Sequence, residues 1–391
     1  MSLWHSLREG IGFRPSRSDR QRYANSPQWR DGRFRPTLAR KDGSMLTAAM
    51  KFFFGGNQHR SPDAPIPVVA RKRGDFDMPP TTGLRVTWLG HSTLLLEIAG
   101  QRILIDPVWS ERASGFRSVG PRRFFPPLIS LADLPPIDLV VLSHDHYDHL
   151  DESVVRELAA RGIPFLAPLG VGTDLARWGI AASQCTELDW WESFRIGGIT
   201  ITATPARHFS SRGLLDHGQS LWCGFAFVSD RHRVYYAGDT AMQDEFIAIG
   251  ERLGPFDLVM IEVGAYNALW ADVHLGPEQA VRAHQLARGV VLLPIHWGMF
   301  DLALHGWTEP IERTLEAAMD AGIAVATPRP GESFELANGI PAERWWPDLP
   351  WQRAAEAPVR SSGVDHLFPA VNASGAAETA GRDAGDPLRT P

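Results

Sequence analysis

The sequence predicts an α+β domain whose strands hand polar side chains to one shared rim, and three observations predict it. First, residues 81 to about 350 alternate strand-like and helix-like segments in a regular way. Second, Ile137-Asp138-Leu139-Val140-Val141-Leu142-Ser143 is mostly continuous apolar sequence, the pattern of a strand covered on both faces, and it leads into His144-Asp145-His146-Tyr147-Asp148-His149. Third, the later strands end on polar groups. His208 lies five residues past Ala203, Asp239 follows Gly238, Glu262 follows Ile261, and His296 follows Pro294-Ile295. A sheet-based site is assembled from strand ends of this kind.

In chain order, residues 1–80 are rich in Arg, Pro and Gly with little periodicity, and read as an N-terminal arm packed on or near the core. Within the arm, Met45–Phe54 is a short apolar helix candidate ending at Gly55-Gly56. Its flanking Arg40, Lys41, Lys51 and Arg60 fit a membrane-surface contact, and docking on the core fits equally. The domain proper spans 81–350. Leu84–Leu89 and Ser92–Ile98 are strands, followed by Arg102–Ile105 leading into Asp106-Pro107. A helix over Glu152–Arg161 turns Val154, Val155 and Leu158 inward. Ile163–Ala167 is a short strand candidate, and its internal Pro164 argues either for an edge position or against a strand there. Further strands are expected at Gly198–Ala203, Gly224–Val228, Arg233–Ala237, Leu258–Ile261 and Val290–Leu293, with a helix opened by Pro277. Residues 351–391, full of Ala, Gly, Ser, Asp and Arg, read as a disordered tail.

Composition bounds the function. A chain of 391 residues with 44% hydrophobic and 21% charged residues holds one large core or two ordinary ones. A net charge of -6 argues against a nucleic-acid groove, which needs a concentrated basic face. Cys185 and Cys223 form no disulfide framework and lack zinc-ligand spacing, as expected of thiols in a reducing cytoplasm. Arg8 and Glu9 stand where a secretory apolar region would be, and no apolar run approaches the length of a spanning helix.

The His run reads as a metal site. On an extended segment His144 and His146 point to the same side, whereas Asp148 and His149 follow a turn and aim at a second point nearby. That set exceeds what one ion needs, and imidazoles with carboxylates suit zinc. Asp106 is either a hydrogen-bond acceptor that fixes a ligand tautomer or a plain Asp-Pro turn. His91, after Gly90, either lines the site or caps a strand turn. Fourteen Trp and 19 Phe supply large apolar faces, several near the ligands; any single one reads first as core, and together they suit lipid handling.

The ordered set His144-x-His146-x-Asp148-His149, His208, Gly238-Asp239-Thr240 and His296, with Asp106 upstream, is similar to the ligand set of the metallo-β-lactamase superfamily. Trp88-Leu89-Gly90-His91-Ser92-Thr93, Leu188-Asp189-Trp190-Trp191-Glu192, Gly264-Ala265-Tyr266 and Ile295-His296-Trp297-Gly298 resemble the N-acylphosphatidylethanolamine-hydrolysing phospholipase D family, and Asn25-Ser26-Pro27 resembles its bacterial members. His208-Phe209-Ser210 departs from the mammalian His-Trp-Cys. The resemblance implies an αββα four-layer sandwich of two mixed β-sheets flanked by helices, holding two zinc ions. The first ion would take His144, His146 and His208, the second Asp148, His149 and His296, and Asp239 would bridge. A metal-bridging hydroxide would attack phosphorus, releasing N-acylethanolamine and phosphatidic acid, with Asp148 and Asp239 serving the catalysis. His274 either protonates the leaving oxygen or merely precedes the helix at Pro277. Tyr147 and Trp297 join Asp106 and His91 as candidates that back the ligands or touch substrate. A phospholipid substrate, a peripheral contact with the inner membrane and a homodimer follow from the same resemblance. The alternative is a lactonase or esterase of this fold acting on a small anionic substrate. A two-iron redox protein is disfavoured, because the carboxylate usual to that pattern is absent where His146 stands.

Overall fold

The computed structural model describes residues 15–41, 43, 47, 59–116 and 118–368. The Met45–Phe54 helix candidate therefore lies almost wholly outside the described residues. The described chain opens with helix α1 (Arg17–Tyr23), capped by the Ser16 side chain, and a hairpin of β1 (Trp29–Arg30) and β2 (Arg33–Phe34). Tyr23 and Phe34 are buried in the main core, and Tyr23, Trp29 and Phe34 pack ring on ring at 4.9–5.3 Å between centroids.

Two seven-stranded sheets follow. β3 (Leu84–Gly90), β4 (Thr93–Ile98), β5 (Gln101–Ile105), β6 (Leu139–Val141), β7 (Phe165–Pro168) and β8 (Cys185–Leu188) belong to the first. β9 (Ser193–Ile196), β10 (Ile199–Thr204), β11 (Gly224–Val228), β12 (Arg233–Tyr236), β13 (Phe256–Glu262), β14 (Gly289–Ile295) and β15 (Ala324–Val325) form the second. β16 (Ser333–Phe334) returns to the first sheet beside β3, so the orders are 16-3-4-5-6-7-8 and 15-14-13-12-11-10-9. In each sheet an antiparallel half passes into a parallel half at β5 or β12.

Strand alternation explains the layers. Leu94, Leu96, Ile103, Ile105 and Val141 face the second sheet in one core with Ile201, Phe225, Phe227 and Tyr236. Their neighbours Leu95, Leu104, Val140 and Leu142 face outward, under helices α2 (Glu152–Ala160) and α3 (Val171–Arg177). Val154, Val155 and Leu158 are fully buried there, each side chain contributing about 2 kcal/mol of burial. Helices α5 (Pro277–Leu286) and α6 (Glu309–Ala321) cover the second sheet, while α4 (Glu245–Arg252) packs against α5. The expected αββα sandwich of two mixed sheets is what the chain forms.

Two expectations are corrected. The strand at Phe165 is internal, between β6 and β8, because Pro164 lies before it and only lends its carbonyl to Val140. The tail is ordered as far as Phe368: Val359, Val364 and Leu367 are buried, and Ser362 donates through its backbone and hydroxyl to Asp272, both at 2.7 Å. Three well-placed apolar residues outweigh a polar average composition.

Candidate metal centre

Every strand end named from the sequence reaches one rim. His144, His146, Asp148 and His149 follow β6, His208 follows β10, Asp239 follows β12, and His296 follows β14. His144, His146, His208 and Asp239 bring ligand atoms within 4.8 Å of one another; His91, Asp148, His149 and His296 form a second such group. Asp239 stands between them. Its Oδ1 lies 3.2 Å from His149 Nε2, and its Oδ2 lies 3.1 Å from His296 Nε2 and 3.8 Å from both His144 Nε2 and His208 Nε2.

The backing of the ligands is hydrogen-bonded from behind. Asp106, wholly buried, accepts from His149 Nδ1 at 2.7 Å, from the Ser143 backbone at 2.7 Å, and from the Ser143 and Tyr236 hydroxyls. That fixes His149 with Nε2 aimed forward, the first of the two readings of Asp106. The Val273 carbonyl does the same for His208 Nδ1 at 2.9 Å. His91 lines the site: its Nε2 lies 2.9 Å from Asp148 Oδ2, and its own carbonyl accepts from the His296 backbone at 3.0 Å. His91, Asp106 and His296 hold left-handed backbone with φ of 51°, 40° and 64°, a cost that non-glycine residues bear mainly where geometry is imposed by function. Gly264 is required beside them, since a Cβ there would lie 2.1 Å from the His296 carbonyl oxygen.

Electrostatics show what the rim suits. Burial pushes His91 down to about 3 and His146 to about 4, and holds His144 and His208 well below the usual imidazole range. These four are neutral donors. Burial would raise Asp148 and Asp239, but the charge of His149 outweighs it and keeps both carboxylates ionised. Burial opposes charge on His149 and His296 too; Asp239 and Asp148 overcome it, raising His149 well above its ordinary range and His296 to about 10. His149 Nε2, His296 Nε2 and Asp239 Oδ1 make no hydrogen bond among the described residues despite lying in contact distance. Buried carboxylates, neutral imidazoles and converging unsatisfied atoms fit metal cations.

Not every candidate arrives. Tyr147 turns away, its hydroxyl donating to the Arg212 carbonyl at 3.0 Å and its ring lying 4.0 Å from the Arg212 guanidinium carbon. Trp297 is buried behind His296, stacked between Trp88 and Trp345 at 5.6 and 5.2 Å, and so belongs to the core. Glu262 was visible in the sequence only as a polar strand end. It is fully buried, accepts from the Thr240 backbone at 2.7 Å, and lies 2.6 Å from His274 Nδ1. With Asp239, His274 and His296 it forms a third group of potential ligand atoms. His274 thereby lies at the centre's edge, its Nδ1 3.9 Å from Asp239 Oδ2.

Comparison with known proteins agrees with this geometry. The family described as Beta-lactamase superfamily domain matches residues 101–297. An N-acyl-phosphatidylethanolamine-hydrolyzing phospholipase D of Caenorhabditis elegans is 41% identical over 272 residues, covering 66% of this chain and 76% of its own. An uncharacterized protein of Mycobacterium tuberculosis is 43% identical over 331 residues, covering 82% and 87%. Among solved structures, a metallo hydrolase of the archaeon Ignicoccus hospitalis superposes with a TM-score of 0.50 at 26% identity, over 64% of this chain and 98% of that one. With the fold, the convergent His and Asp groups and these relatives together, the chain belongs to the beta-lactamase superfamily and is a metal-dependent hydrolase of its fold.

Proposed function

We propose that the chain is a zinc-dependent phosphodiesterase that hydrolyses N-acylphosphatidylethanolamine-type phospholipids to N-acylethanolamine and phosphatidic acid. The observation that carries the reading is the pair of ligand groups meeting at Asp239 in a chain 41% identical to a relative bearing that activity in its name. His144, His146 and His208 would hold one zinc, Asp148, His149 and His296 the other, with Asp239 between. Bound there, the ions would supply Lewis acidity for phosphoryl oxygens and lower the pKa of water. The protein's share is positioning. Asp106 and the Val273 carbonyl orient two imidazoles, and Asp239 is closed off from bulk water while Asp148 keeps a partly open edge. His274, held at Nδ1 by Glu262, is the group at the edge suited to hand a proton to the departing alkoxide. His274→Ala is therefore expected to lower kcat by about 10²-fold with zinc content unchanged, measured by steady-state turnover beside elemental analysis. Loss of zinc in that variant would make His274 a ligand instead.

The deciding experiment incubates the purified chain with N-acylphosphatidylethanolamine in mixed micelles in oxygen-18 water, with metal counted on the same sample. About two zincs per chain and label in phosphatidic acid are expected. Label in N-acylethanolamine, or intact lipid, would overturn the assignment. The reading carries a peripheral contact with a lipid surface; among the described residues no helix is long and apolar enough to cross a membrane.

A further inference from the structure

The arm borders a cleft of about 520 Å³ that reaches one ligand candidate of the metal centre, the buried His208, and its wall is basic. Arg30, Arg33, Arg35 and Arg40 line it together with the ligand His208 and its neighbour Phe209. Arg40 places its guanidinium carbon 4.6 Å over the Phe209 ring, which itself lies 4.6 Å from the His146 ring and 4.9 Å from the His208 ring. One aromatic ring thus separates a cation from two imidazoles of the centre. The hairpin is fixed, not loose: Phe34 is buried, and its backbone donates to the Gly218 carbonyl at 2.8 Å. Asp31 is the one carboxylate in the wall, and it pairs with Arg35 at 3.2 Å. Among the described residues no carboxylate pairs with Arg30 or Arg33, although the whole chain carries a net charge of -6. Arg30 and Arg33 stand opposite each other across the hairpin, and two like charges so placed favour an anion between them.

We propose that this cleft is a subsite for a phosphate-bearing head group, which the arm's arginines capture at the mouth of the metal centre. The choice of phosphate rests on the proposed phospholipid substrate. Guanidinium forks match phosphate oxygens in pairs, and the wall acts on capture, leaving bond cleavage to the centre. The test is calorimetric binding of glycerol 3-phosphate, and sedimentation with vesicles of phosphatidylcholine with or without phosphatidylglycerol, for the native chain and Arg30→Glu/Arg33→Glu. Both positions are exposed, and zinc content and the unfolding midpoint report that the variant is folded. Binding is expected to weaken about tenfold and to fall steeply with salt. Loss for glycerol 3-phosphate means the head group is read directly; loss confined to anionic vesicles means the phosphate belongs to the bilayer around the substrate. Equal binding by both chains in both arms overturns the proposal. Neither arm needs turnover, so a chain that left N-acylphosphatidylethanolamine intact could still show the subsite.

Discussion

Substituting Asp239 by Asn is expected to cost about 10³-fold in kcat and to leave about one metal ion per chain. Asp239 is the group that faces both ligand sets, with its oxygens 3.1 to 3.8 Å from four imidazoles. Asn keeps the shape and removes the charge. The loss is electrostatic in origin: two cations side by side need an anion between them, and the carboxylate that raises His149 and His296 in the metal-free chain is that anion. Elemental analysis and steady-state turnover read the two effects, with the unfolding midpoint as the check on folding. A variant that kept full metal and full turnover would remove Asp239 from the bridging position.

Chelation is expected to destabilise the protein, and more strongly at high pH. In the metal-free chain His149 is raised well above its ordinary range and His296 to about 10, because Asp239 and Asp148 overcome a burial that opposes the charge. Both folded values stand above the unfolded one. The stability these protons give is therefore complete below about pH 6.5 and is lost as pH climbs through the folded values. Cations replace the protons in the loaded chain. The gap in stability between loaded and chelated protein should widen from about pH 6.5 to about pH 9, by about 1.4 kcal/mol for each proton displaced and each pH unit. Scanning calorimetry with and without chelator across that window checks it. A constant gap would mean that the two imidazoles are not protonated without metal.

The seven ligand candidates and Asp106 were legible because each follows a strand within a short loop and the strands announce themselves by apolar runs. Tyr147 was misplaced for a reason equally local: it opens the turn in which His149 and Leu150 donate to the His146 carbonyl, and there its hydroxyl donates to the Arg212 carbonyl. Trp297 follows a residue with φ of 64°, and that left-handed step sends its ring backward into the core. Helix α6 carried signals that went unused, Pro310 in its first turn and Gly322 at φ 67° at its end. The role of Glu262 had no local signature. It exists only because β13 ends where the segment before α5 brings His274 to meet it.

The two strand orders are one order written twice. From β3 to β8, and again from β10 to β15, successive neighbours run antiparallel, antiparallel, then parallel three times. His91 and His208 follow the first strand of each copy, and Asp106 and Asp239 follow the third. Matching ends have been given different work: one Asp anchors a ligand from behind while its counterpart faces four imidazoles. The centre is thus a seam between two copies of a single plan of strand order and direction, which the side chains put to unequal use. Neither copy completes the site alone: each of the two groups of potential ligand atoms draws on strand ends of both, and what distinguishes the groups resides in a handful of strand-end residues.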